Sequence, residues 1–168
     1  MESIETFQNL NQKLLMNNLN IDIYQKIDNQ EYVEAIQILQ SVLAMSKRLS
    51  DKKIEIQANF NLSMCFFHLG KFQDSFDVLE NNIRIIQLEE FLSKQMFMIL
   101  LQCLCYMILC SLAINNLKSA NAYLQLLESK IKTFNCDDET KFNLLEYANY
   151  CMFGINKISD IEIINNNS

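Results

Sequence analysis

Apolar residues recur at helical spacing along most of the chain. Ile4, Phe7, Leu10 and Leu14 mark one face of a first helix, and Leu19, Ile23, Tyr24 and Ile27 mark a short second one ending at Asp28-Asn29. Val33, Ile36, Leu39, Val42 and Leu43 give a third that runs to about Leu49, where Ser50-Asp51 is placed to cap the next. That next helix carries Ile54, Ala58, Leu62, Cys65, Phe66 and Leu69, and Gly70 stops it as a left-handed C-terminal residue. Phe72, Phe76, Leu79, Ile83 and Ile86 form a fifth, with Glu80 and Arg84 at the i,i+4 spacing of an exposed ion pair. A long apolar helix spans about Leu88 to Ile114 and Asn115-Asn116 breaks it. Ala120, Tyr123, Leu124, Leu127 and Ile131 form the seventh. Asp137-Asp138-Glu139 then sits where a helix N-terminus favours acids, ahead of Phe142, Leu145, Ala148 and Met152. The pattern predicts an all-α chain of seven or eight helices, one domain over 1–154 with a frayed Asn/Ile-rich tail at 155–168.

Composition narrows the class. With 2 Gly and 0 Pro in 168 residues, the tight turns of a sandwich or barrel have almost no chemistry to draw on, whereas helices joined by Asn-led turns do. The net charge of −6 argues against direct nucleic-acid binding, which needs a basic footprint. Six cysteines would suit a disulfide framework in a secreted chain, but most sit inside apolar helical runs, where free Cys acts as a small hydrophobe. Met-Glu-Ser-Ile-Glu-Thr-Phe shows no basic region leading into an apolar run, so a reduced, cytoplasmic setting is expected.

One stretch is more specific than the rest. Leu62, Ser63 and Phe66 precede Leu69-Gly70-Lys71-Phe72, and Ser75 and Leu79 follow. This arrangement resembles a tetratricopeptide repeat, in which small residues let paired helices approach, large ones fill the groove between them and Gly permits the turn. Asn59 stands where the family has Trp, and the closing Pro is missing. Echoes occur at Gln30 to Ala35 with Leu39, and at Asn115 to Ala120 with Leu124. The small residues Ala35, Ser75 and Ala120 are thus 40 and 45 positions apart, longer than the family's period of about 34. The resemblance implies a right-handed stack of about three antiparallel hairpins, an α-solenoid that serves as a non-catalytic scaffold or adaptor in a larger protein complex. On the first helix of the best repeat it implies partner-binding positions among Asn61, Met64, Cys65 and His68, with Gly70, Ala35, Ser75 and Ala120 as structural positions. Tyr106, not Asn, stands where the next repeat would supply a companion to Asn61, so no carboxylate clamp is expected.

The run Met96 to Ile114 carries no charge and sets up a rival. As a helix it is roughly 28 Å long, close to a bilayer core of about 30 Å, so a membrane span at about 96–114 is the alternative. Gln95, Gln102 and Tyr106, however, fall along one narrow stripe, as in a central helix packed on three sides.

Site chemistry is sparse. His68 is the single histidine, no C-x-x-C occurs, and Cys103 and Cys105 point to nearly opposite sides of a helix, so neither a metal site nor a catalytic group is expected. Cys103 and Cys110, seven apart, share a face. Gly70 and Gly154 cannot build a phosphate loop, and no cofactor is expected. Met64, Met96, Met98 and Met107 with Phe60, Phe66, Phe67 and Phe97 read as core filling or as an adaptable binding surface.

Overall fold

The structure, a computed structural model, describes residues 2–90, 92–146 and 149–150; within the first helix it places the side chains of residues 11, 14–16 and 18 onward. The helices are α1 (Glu2–Asp28), α2 (Tyr32–Arg48), α3 (Lys52–His68), α4 (Phe72–Gln87), α5 (Lys94–Ala113) and α6 (Leu117–Thr133), followed by α7 over 138–146. No strand occurs among the described residues. The expected face at Ile4, Phe7 and Leu10, the close of the last helix at Ala148 and Met152, Gly154 and the tail at 155–168 lie outside the described side chains or residues.

Two compact units make up the chain, Met1–Gly70 and Lys71–Ser168. In the first, α2 packs against both α1 and α3; in the second, α5 packs against both α4 and α6.

The corners repeat one device. Two residues past the last helical residue of α1, α2, α3 and α5, the backbone turns left-handed, at Gln30 (φ 61°), Ser50 (53°), Gly70 (72°) and Asn115 (56°). The N–H of that residue donates to the carbonyl three positions back, on Ile27, Lys47, Phe67 and Leu112, at 2.9, 3.2, 3.0 and 3.1 Å. At three corners the next N–H reaches five back, Glu31 to Lys26, Asp51 to Ser46 and Asn116 to Ser111, at 2.8, 2.9 and 2.7 Å. These bonds satisfy carbonyls that a helix end would otherwise orphan. The next helix begins two residues later each time, with the side chains of Asp51 and Asn116 accepting from the N–H groups of Ile54 and Ser119.

The helices that follow the left-handed corners at Gln30, Gly70 and Asn115 bury the same register. Ala35, Leu39, Val42 and Ser46 of α2 are matched by Ser75, Leu79, Asn82 and Ile86 of α4 and by Ala120, Leu124, Leu127 and Ile131 of α6. Steps of four, three and four put each set on one stripe. The small residue leading each set is fully buried, with Ala35, Ser75 and Ala120 all at 0% exposure.

Between α4 and α5 lies the seam with the most specific chemistry. The Cys110 thiol donates to Ser75 Oγ at 3.4 Å, and Asn82 Nδ2 donates to Cys103 Sγ at 3.6 Å. Each helix contributes two residues seven positions apart, so both contacts lie on one face of an antiparallel pair. Phe76 of α4 meets Tyr123 of α6 edge to face at 6.0 Å, and Phe97 stacks on Phe134 at 4.4 Å where the α5–α6 pair opens.

Several expectations need correcting. The first two helices expected are one, α1, because Asn17 and Asn18 continue the helix and its first left-handed corner waits until Gln30. Leu14 and Tyr24, expected on apolar faces, are 55% and 49% exposed, while Met16 and Ile23 are buried at 1% and 0%. The apolar helix begins at Lys94 and not at Leu88, since Ser93 Oγ accepts from Met96 N–H at 3.2 Å and sets its start. Along α5 the stripe of Gln95, Gln102 and Tyr106 is the uncovered side, the glutamines exposed and Tyr106 half-buried.

Candidate functional site

The four positions singled out on α3 do not share one surface. Asn61 is buried and accepts from Gln57 Nε2 at 3.3 Å on its own helix, and Met64 is half-buried. Cys65 is fully buried, and burial pushes its thiol up to about 11. His68 alone is exposed, at the last turn of α3. There it stacks on Tyr32 with ring centroids 5.1 Å apart and planes 10° from parallel, and Phe67 meets it edge-on at 5.8 Å. What α3 displays at this end is therefore an aromatic platform. Tyr32 belongs to it, and the signal was its place at the first position of α2, beside the end of α3 in an antiparallel pair.

Gly70 takes its positive φ, and a Cβ built there would meet nothing within 4 Å, so the backbone alone selects glycine.

Thiol chemistry is suppressed where the cysteines pack. Burial pushes Cys103 up to about 12 against the lesser, opposing effect of the Asn82 amide, and burial likewise raises Cys110 above its ordinary value. Ser63 and Ser111, both buried, are satisfied on their own helices, Ser63 Oγ donating to the Phe60 carbonyl at 2.6 Å and Ser111 Oγ to that of Met107 at 2.7 Å. Glu55, buried in the first turn of α3, keeps an ion pair with Lys52 at 2.7 Å. Among the described residues, no three His, Cys, Asp or Glu side chains come together to hold a metal ion.

The first unit is electrically polarised. At the α1–α2 corner stand Asp22, Asp28, Glu31 and Glu34, with Lys26 paired to Glu31 and, at 4.0 Å, to Glu34. The hydrogen bond to Glu31 leads in holding the Lys26 ammonium above its ordinary pKa. At the α2–α3 corner Lys47, Arg48, Lys52 and Lys53 are all exposed. One length of α2, about 24 Å, separates the two ends.

The chain matches no protein-family model, no curated protein and no solved structure.

Proposed function

We propose that this chain is a non-catalytic scaffold or adaptor, a subunit of a larger protein assembly in the cytoplasm, built as a tetratricopeptide-like stack of three helical hairpins. It binds a partner peptide or helix on its helical-repeat surface. The observation that carries this reading is the register repeated in α2, α4 and α6, a small residue followed at four, seven and eleven positions by buried residues, each set entered from the same left-handed corner. Such repetition is how hairpin repeats expose long faces to partners while each unit closes on its neighbour. The aromatic platform of half-buried Tyr32 and exposed His68 is suited to holding a side chain of such a partner.

One observation favours a second reading, a membrane-embedded helical protein. α5 is long and apolar enough to cross a bilayer by length and composition, although most of that window is buried within the chain. The polar contacts that α4 makes to Cys103 and Cys110 suit a protein seam better than lipid.

Purification of the tagged chain from its native cells, without and then with detergent, separates the two. A stoichiometric assembly that co-elutes on sizing without detergent is the expected result. Recovery as a free chain would overturn the scaffold reading, and recovery only from solubilised membranes would establish the second.

A further inference from the structure

Counted back from the left-handed corner residues, α1, α3 and α5 share a register. Leu15, Asn18, Asp22 and Gln25 of α1 stand where Glu55, Ala58, Leu62 and Cys65 stand in α3, and where Leu100, Cys103, Met107 and Cys110 stand in α5. In α3 and α5 these positions are all buried; in α1 all are exposed. In α5 this is the face that meets the preceding helix, since Cys103 and Cys110 contact Asn82 and Ser75 of α4. α1 is nonetheless seated on its other side through Met16 and Ile23. Among the described residues, therefore, nothing covers on α1 the face that α5 uses to receive a helix. Leu15, 49% exposed, lies on this face, and Leu14 and Ile21, exposed at 55% and 57%, flank it on one side and extend the apolar surface that another helix could bury. Asn11, Leu14, Asn18, Ile21 and Gln25 follow one another at alternating steps of three and four, the spacing of a helix–helix seam.

Charge decides which helix fits. Asp22 is one of the four positions of this face and Asp28 follows it by six residues; neither forms an ion pair among the described residues, and Lys26, whose charge Asp22 also favours, pairs with Glu31 and Glu34. A second copy of α1 would bring the same carboxylates against these, at a cost. We infer that the exposed face of α1 docks a basic amphipathic helix of a partner protein, its apolar stripe on Leu14, Leu15 and Ile21 and its Lys or Arg residues facing Asp22 and Asp28. This rests on the scaffold reading and names the partner's chemistry.

The test uses the full chain and two synthetic helices carrying the α4 pattern of small residue, Leu, Asn and Ile, one with Lys at the outer positions and one with Glu. Fluorescence anisotropy is expected to show the Lys peptide binding about tenfold more tightly than the Glu peptide, with the preference shrinking as salt rises. Ile21→Glu is expected to weaken the Lys peptide about tenfold, and the double variant Asp22→Asn, Asp28→Asn to erase the preference for Lys. Should Ile21→Glu fail to fold by circular dichroism, the double variant, which alters only exposed polar groups, decides alone. Equal binding of the two peptides, no binding of either, or indifference to the variants would overturn the inference. So would sedimentation as a dimer that Ile21→Glu dissolves, which assigns the face to a second copy. An assembly from native cells that survives Ile21→Glu sinks this inference and leaves the scaffold reading standing, whereas failure to find any assembly sinks the scaffold reading itself.

Discussion

Tyr32, the first residue of α2, and His68, the last of α3, lie face to face with ring centroids 5.1 Å apart. The stack ties the start of one helix to the end of the next, 36 positions on in the chain. A double-mutant cycle with Tyr32→Ala and His68→Ala is expected to give a coupling of about 0.5 kcal/mol, the low end for aromatic pairs because His68 is exposed. His68→Phe should retain most of it. Additive single effects in denaturant melts would show that the rings touch without stabilising the pair.

The left-handed corners make opposite predictions for glycine. Gln30→Gly, Ser50→Gly and Asn115→Gly relieve a residue with a Cβ from a conformation that costs it about 1 kcal/mol, so each is expected to raise the melting temperature. Gly70→Val should lower stability by about 2 kcal/mol, through backbone strain alone, since the space around Gly70 is open. Near-wild-type melting of Gly70→Val would contradict the positive φ.

Small residues on the repeated register are expected to resist enlargement. Ala35→Leu, Ser75→Leu and Ala120→Leu each force a larger side chain into a fully buried position and should cost about 1–3 kcal/mol. Val33→Leu, at a site 59% exposed on the same helix as Ala35, should stay within about 0.5 kcal/mol of wild type. Thermal melts of the four variants side by side distinguish a packed register from a merely apolar one.

Cys65 and Cys103 link stability to alkaline pH. In the folded chain burial holds their protons to about 11 and about 12, whereas an ordinary thiol ionises near 9. The unfolded chain therefore loses protons first as pH rises, and the stabilising contribution, complete below about 9, disappears as pH climbs through the folded values. Urea midpoints should fall across that window, and less so in Cys65→Ser, Cys103→Ser. At neutral pH, brief alkylation mapped by mass spectrometry should label half-exposed Cys105 and Cys136 well before Cys65, Cys103 and Cys110. Early labelling of Cys103 would contradict the α4–α5 seam.

Much of the helical order was legible because apolar periodicity and capping chemistry act locally. Asp51, Gly70, Asn115 and Asp137 all stand at the helix boundaries their chemistry favours, with Asp137 Oδ1 accepting from Thr140 N–H at 2.8 Å. The small residues Ala35, Ser75 and Ala120, singled out through the resemblance to a tetratricopeptide repeat, are buried. Gln30 and Ser50 were missed as left-handed residues because the corner is held by backbone bonds, which many side chains tolerate.

Apolar pattern also could not say which faces would be covered. Leu14 and Tyr24 have the spacing of core residues, yet among the described residues nothing covers them. On α3, the resemblance to a tetratricopeptide repeat put Asn61, Met64 and Cys65 beside His68 as candidates, but nothing in a single helix distinguishes a side chain facing a neighbour from one facing a groove. Asn59 and Asn82 are buried as well, positions that a count of hydrophobic residues passes over.

The two contacts that join α4 to α5 behave as locating pins. α5 is oily on most of its circumference, and greasiness by itself would let such a rod settle at several rotations with similar burial. A slip of one residue would swing Cys103 and Cys110 about 100° away from Asn82 and Ser75 together, stranding an amide and a hydroxyl in a dry interface. Two small polar marks, two helical turns apart, thus give an otherwise featureless cylinder a single seating.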